Sequence, residues 1–185
     1  MASINGITLK KLKDYTDHEG FTIHQADVYF NNKRLGVWSE DTMSGEGIYD
    51  FDQSILIDLA VDYIKCLSEL DKKKSVLLSP GFQYMCLDAL LSDLVQLMEN
   101  EQDYKRAVKR GFKSLVVIVA ESRITAYVSK YANPVEETPE IHDHFLRKAT
   151  YRENGACVLP QDVSVNCYNS LECFNIKTEK YENCF

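Results

Sequence analysis

The sequence predicts an α+β fold, an antiparallel sheet with an N-terminal three-stranded meander packed against two main helices, followed by an extra C-terminal segment. Three observations predict it. Residues 21–30 alternate with a period of two, residues 54–70 repeat with a helical period, and Leu115 to Ala120 is an unbroken apolar run.

Taken in order, Ile7 to Ser39 supplies the meander. Thr22, His24, Ala26, Val28 and Phe30 fall on one side of a strand, and Phe21, Ile23, Gln25, Asp27 and Tyr29 on the other. Asn31-Asn32-Lys33 makes the turn, because asparagine tolerates left-handed dihedrals, and Arg34 to Ser39 returns as the next strand. The glycine-bearing stretch Asp41 to Gly47 is the flexible point.

A helix follows over 54–70. Asp58, Asp62, Lys65, Glu69 and Lys72 form its polar stripe, while Ile55, Leu56, Leu59, Ala60, Tyr63, Leu67 and Leu70 face inward. Asp50 and Gln53, three apart, offer a capping-box-like start. Ser79-Pro80 opens a second helix, with the hydroxyl as N-cap and proline at the first helical position. Its apolar seam is Leu87, Leu90, Leu91, Leu94 and Met98, and its wet side Asp88, Ser92, Gln96 and Glu99. After Asn100 a shorter helix runs from Asp103 to Arg110 and ends at Gly111.

Leu115 to Ala120 then reads as a central strand buried on both faces, with Ile124 to Ser129 as its partner. The acidic stretch 133–139 carries two prolines and connects to a short helix ending near Ala149. From Thr150 the tail mixes Asn, Cys and aromatics without clean periodicity. The expected organisation is therefore an α+β core domain over 1–132, with 133–185 as a proline-punctuated connection, short helix and Cys-rich tail packed on it.

At 45% hydrophobic and 26% charged the chain has globular composition, which excludes wholesale disorder. The N-terminus lacks a basic region followed by an apolar run, and no stretch reaches the roughly 18 apolar residues of a membrane span, so a cytoplasmic protein with no membrane contact is expected. Of the six cysteines, Cys66 and Cys86 fall in helices. Cys157, Cys167, Cys173 and Cys184 crowd the tail without a Cys-x-x-Cys, so free thiols and no metal are expected.

The charges are segregated. From Leu35 to Ile64 there are seven acids (Glu40, Asp41, Glu46, Asp50, Asp52, Asp58, Asp62) and no Lys or Arg, and the net charge of the whole chain is −7. In Ile48-Tyr49-Asp50-Phe51-Asp52 acids and rings alternate, so an extended backbone would set carboxylates on one side and aromatics on the other. Carboxylates held on a scaffold can imitate a row of phosphates and enter a basic channel, with the field speeding encounter. Glu40, Asp41, Glu46, Tyr49, Asp50 and Asp52 are the partner-binding candidates; a solvated acidic face leading into a helix explains the same residues.

The opposite cluster is Lys105, Arg106, Lys109, Arg110 and Lys113, on one side of a helix. It can grip phosphates, or the acidic patch of a second copy in a homodimer, or serve only as the wet side of the helix. The net −7 opposes a polyanion, so direct nucleic-acid binding is expected to be weak or absent.

No catalytic residue stands out. There is no Gly-x-Ser-x-Gly and no glycine-rich phosphate loop. Glu121-Ser122-Arg123 ends a buried strand as the Glu-x-Lys of metal-dependent nucleases does, but with Arg for Lys and no partner Asp in view. His142 and His144 diverge by about 200° on a helix, which argues against a two-histidine metal site and leaves one of them joined to Cys157, Cys167 or Cys173 as the zinc alternative. A non-enzymatic protein without cofactor is expected.

The run Glu19-Gly20-Phe21, then Asp27-Val28-Tyr29-Phe30-Asn31-Asn32-Lys33-Arg34-Leu35-Gly36 and Trp38-Ser39-Glu40-Asp41, resembles the opening of small accessory proteins encoded by phages and mobile elements, among them anti-CRISPR inhibitors of type II effector nucleases. The resemblance covers about the first third of the chain. It implies an inhibitor in the bacterial host cytoplasm that occupies the basic nucleic-acid surface of a CRISPR effector nuclease, and it transfers no functional residue. The alternatives are a nucleic-acid-binding protein using Lys105 to Lys113 and a metal-dependent nuclease.

Overall fold

The structure, a computed structural model, describes residues 1–16, 18–40, 47–70, 82–120, 124–136, 138, 140–141, 143–144, 151–153, 156–158 and 163–178. It is α+β. Packing divides the chain into two compact units, Met1–Met98 with Asn175–Phe185, and Glu99–Phe174. This partition differs from the expected 1–132 and 133–185, because two segments of the tail pair with strands far back in the sequence.

The first unit opens with β1 (Ser3–Ile4), β2 (Ile7–Thr16), β3 (Thr22–Phe30), β4 (Lys33–Glu40) and β5 (Gly47–Tyr49). The expected meander is present as β2-β3-β4. Two tight turns set its register. Asn5 and Gly6 (φ 49° and 80°) join β1 to β2, and Asn31 and Asn32 (φ 46° and 67°) join β3 to β4. Positive φ at both central residues matches the right-handed twist of the flanking strands, which is why Asn and Gly stand there. The tail supplies β11 (Asn175–Ile176), parallel to β1, so the six-stranded sheet is mixed rather than purely antiparallel, in the order β11-β1-β2-β3-β4-β5. Asn5 holds that strand in place, since its N–H donates to the Ile176 carbonyl (2.9 Å) and its Oδ1 accepts from Thr178 N (3.0 Å).

Helices α1 (Ser54–Leu70) and α2 (Phe82–Lys109) follow. On the sheet, Ile4, Ile7, Leu9, Ala26, Val28 and Trp38 are at most 1% exposed; on the helices Leu56, Ala60, Leu87, Leu90, Leu91 and Leu94 are fully buried. Each large aliphatic so buried contributes about 1.5–3 kcal/mol before entropy is charged. The first turn of α1 is held by Asp52, whose Oδ1 accepts from Ser54 N (3.0 Å), and not by Asp50. Ile55 is 48% exposed, contrary to expectation, because the buried stripe runs through Leu56, Ala60 and Tyr63 and leaves its neighbour about 100° around the helix.

The two expected helices after residue 79 are one helix from Phe82. Nothing between Asn100 and Asp103 breaks it, and Asn100 and Glu101 are buried. It ends at Gly111 (φ 88°), where Gly111 N donates to Val108 O (3.0 Å) and Phe112 N to Ala107 O (3.1 Å), a Schellman cap. The start expected at Ser79-Pro80 lies outside the described residues.

The second unit is built on β6 (Ser114–Ala120), central between β7 (Ile124–Tyr131) and β10 (Val163–Tyr168), all antiparallel. Leu115 to Ile118 are fully buried, as a strand covered on both sides requires. The tail strand β10 alternates Val163, Val165 and Cys167 with Ser164 and Asn166, a period missed within an otherwise irregular stretch. A hairpin of β8 (Tyr151–Glu153) and β9 (Ala156–Val158) stands apart from that sheet. Tyr168 stacks on Phe174 with ring centroids 4.5 Å apart, and Tyr104 donates its hydroxyl proton to the Asn169 carbonyl (2.7 Å).

Candidate interaction surface

Four of the six acidic-stretch candidates are described, and each has work inside the fold. Glu40 Oε2 accepts the His24 N–H (2.9 Å) across the β3-β4 pair. Tyr49 donates its hydroxyl proton to Asp88 on α2 and sets its ring edge-on to Phe51 at 5.5 Å. Burial, then the Asp88 carboxylate, pushes the Tyr49 phenol well above its ordinary pKa. Asp50 accepts the Val37 N–H with its carboxylate and donates its own N–H to the Val37 carbonyl (3.1 Å). Asp52 caps α1, and the Ser54 hydrogen bonds hold its carboxyl below the usual range. Asp41 and Glu46 lie outside the described residues.

These side chains therefore fasten the β5-to-α1 connection to β4 and α2. Two glycines mark how closely it is fastened. A Cβ on Gly36 would meet the Asp50 carboxylate and come within 3.0 Å of Phe51 Cβ. One on Gly47 would meet the Asp88 carboxylate and come within 2.6 Å of Trp38 Nε1. The expected alternation holds only in part, because β5 stops at Tyr49 and the chain bends at Asp50 and Phe51.

What the stretch leaves to solvent overlaps that set in Asp50 and Asp52 and extends along α1. Asp50, Asp52, Asp58 and Asp62 are exposed, together with Ile48 (62%) and Ile55 (48%). Ile55, Asp58 and Asp62 are spaced i, i+3, i+7 and share one side of α1. Asp58 and Asp62, two of the seven acids of the stretch, form no ion pair with a described residue.

The basic cluster on α2 is partly neutralised. Lys105 Nζ lies 2.8 Å from the buried Glu101, one turn earlier, and Arg106 3.1 Å from Asp103. Both acids precede their bases on the helix, the favoured orientation for such pairs. Lys109, Arg110 and Lys113 are exposed and make no ion pair with a described residue.

A second arrangement was missed. Asp27, at the centre of the meander and 7% exposed, takes Arg34 through Oδ1 (Nη2 2.8 Å, Nε 3.1 Å) and Lys11 through Oδ2 (2.9 Å). Hydrogen bonds from Arg34 and Lys11 hold its carboxyl below the ordinary value. Bulges deliver both cations: β2 sets Lys11 and Leu12 against one residue of β3, and β4 inserts Leu35 between the pairs Val28–Gly36 and Tyr29–Arg34. Lys11 takes φ 53° to reach the carboxylate.

Among the described residues no group of three His, Cys, Asp or Glu is placed to hold a metal ion. Cys86 is buried, Cys167 half-buried and Cys173 exposed, all as free thiols. Glu121, Ser122, Arg123, His142, Cys184 and the side chains of Cys66 and Cys157 lie outside the described residues. No helix among the described residues is long and apolar enough to cross a membrane. Comparisons with protein families, with curated proteins and with solved structures gave no match.

Proposed function

We propose that the protein is a non-enzymatic interaction protein that binds a basic surface of a partner through the exposed side of α1 and the segment leading into it. The observation that carries this reading is the pair Asp58 and Asp62. Like charges at i, i+4 cost a helix a few tenths of a kcal/mol, and neither acid forms an ion pair with a described residue, Lys65 one turn on being the nearest base along the helix. Beside them on the same side of α1, Ile55 offers apolar area, within a stretch that contains no base from Leu35 to Ile64. A cationic partner relieves the repulsion and covers Ile55.

The geometry supports an acidic face and a basic partner. The choice of a CRISPR effector nuclease as that partner rests on the resemblance of residues 19–41 to phage accessory proteins. The test is direct. Purified protein is titrated against a type II effector nuclease, with binding and DNA cleavage read at low and physiological salt. Wild type binds and inhibits, more weakly as salt rises, and Asp58→Lys/Asp62→Lys lowers affinity at least about tenfold while the melting temperature holds. Equal affinity of wild type and variant would remove the face from the interface. A second copy is the competing occupant, with Lys109, Arg110 and Lys113 meeting the acids, and self-association that disappears in the same variant would establish it.

A further inference from the structure

The solvent side of the first unit's sheet carries a cationic and aromatic surface that no part of the acidic reading uses. Register assigns its residues. On β3 the odd positions Ile23, Gln25, Asp27 and Tyr29 share a side; opposite them on β2 stand Tyr15, Lys13, Lys10 and Thr8, and on β4 Ser39, Val37 and Arg34. The other side, with Ala26, Val28 and Trp38, is the core. Four cations thus line β2 and β4 on either side of β3: Lys10, Lys13, Arg34 and, turned in by its bulge, Lys11. Neighbouring strands lie about 4.8 Å apart and alternate residues about 6.7 Å, so the charges sit within two strand widths of one another.

Asp27 is the acid beneath them. Its carboxylate is buried while the side chains of Lys11 (73%) and Arg34 (48%) remain exposed, so one charge serves to orient two. At the Arg34 margin Asp50 is close enough to favour the guanidinium's charged form. Lys13 makes no ion pair with a described residue. The aromatics are interleaved with these cations. Lys10 Nζ sits 4.1 Å from the centroid of the Tyr29 ring, and Tyr15, two residues from Lys13 on the same side, is 46% exposed with its hydroxyl 3.4 Å from Gln25 Oε1.

We infer that this sheet face binds single-stranded nucleic acid, with Lys10, Lys11, Lys13 and Arg34 along the phosphates and Tyr15 as a stacking platform for a base. Charge complementarity selects a polyanion, and an exposed ring beside Lys13 at the end of the cationic row favours a chain of bases over an acidic peptide, since bases stack on aromatics whatever their sequence. A duplex offers phosphates but no open base faces, and gains nothing from Tyr15.

The experiment uses the full chain and a fluorescein-labelled oligo-dT of about 12 nucleotides, within the range such surfaces cover, read by anisotropy across a salt series. Wild type is expected to bind with log K falling against log salt at a slope of about −2 to −3, the value for three or four phosphates on a single strand. Lys10→Ala/Lys13→Ala, which spares the Asp27 triad, should weaken binding at least about tenfold and flatten the slope by about 1.4. Tyr15→Ala should weaken it about fivefold to a hundredfold and leave the slope unchanged. Thermal melting confirms that each variant is folded. Absence of wild-type binding at about 100 µM protein in low salt would overturn the assignment, as would equal binding by Lys10→Ala/Lys13→Ala. Polyglutamate binding that depends on Lys10 and Lys13, with oligo-dT binding indifferent to Tyr15→Ala, would also overturn it and put an acidic peptide in its place.

Discussion

On the sheet face of the first unit one buried carboxylate, Asp27, is shared by Lys11 and Arg34, whereas along α1 Asp58 and Asp62 stand one turn apart without an ion pair to a described residue. The acids between these two regions follow a third pattern. Glu40, Asp50 and Asp52 each accept a backbone N–H. The same side chain therefore serves as an anchor for cations, a clasp for backbone or an unspent surface charge, according to what the fold places within 3 Å of it. Density of charge along a sequence does not distinguish these uses.

The largest effect is expected at the joint that holds the acidic segment. In Gly47→Ala the new methyl meets the Asp88 carboxylate and Trp38 Nε1 at 2.6 Å, and overpacking of this kind costs about 1–3 kcal/mol in denaturant unfolding. The loss should appear with oligo-dT binding intact under native conditions, because Lys10, Lys11, Lys13 and Tyr15 stand on β2, and Arg34 lies at the end of β4 away from its pairing with Gly47.

A smaller effect is expected from Tyr49→Phe, about 1 kcal/mol for the lost hydrogen bond to Asp88 at neutral pH. Its pH dependence sharpens the point. The folded-state pKa of Tyr49 lies above the ordinary value near 10, so its contribution is present below pH 10 and is lost as pH rises beyond it. Melting temperatures between pH 9 and 11 should fall more steeply for wild type than for Tyr49→Phe.

Asp27→Asn tests the other region with the opposite sign. The folded carboxyl is held below its ordinary value, so its contribution is present above about pH 4 and is lost as pH falls through the folded pKa. Wild-type melting temperature should drop on acidification below pH 4, with a flatter acid limb in the variant. Equal acid limbs would mean that Lys11 and Arg34 do not hold the carboxylate in solution.

The parts legible in the sequence were those governed by local period. The meander, the helix over 54–70, the buried strand after Ser114 and the glycine stop at residue 111 all followed from spacing of 2 or 3.6 or from a single turn residue. Pairings across long separations were not legible. Ser3 opposite Asn175, and Val165 opposite Ile118, join segments far apart in the sequence, and neither partner advertises the other. The site was legible as charge and not as geometry. Lys10-Lys11-Leu12-Lys13 is plain to read, but an unbroken strand would send Lys10 and Lys11 to opposite sides. Only the bulge, visible in the register against Ala26, brings them together over Asp27.

The most direct measurement is a crossed pair of titrations on two charge variants of the full chain. Asp58→Lys/Asp62→Lys, whose stability should stay within about 0.5 kcal/mol of wild type, and Lys10→Ala/Lys13→Ala are each titrated with a type II effector nuclease and with oligo-dT. The first variant is expected to lose the nuclease and keep the oligonucleotide, and the second to do the reverse. Loss of both ligands in both variants, with folding intact, would contradict this by showing one surface where two separate ones are claimed.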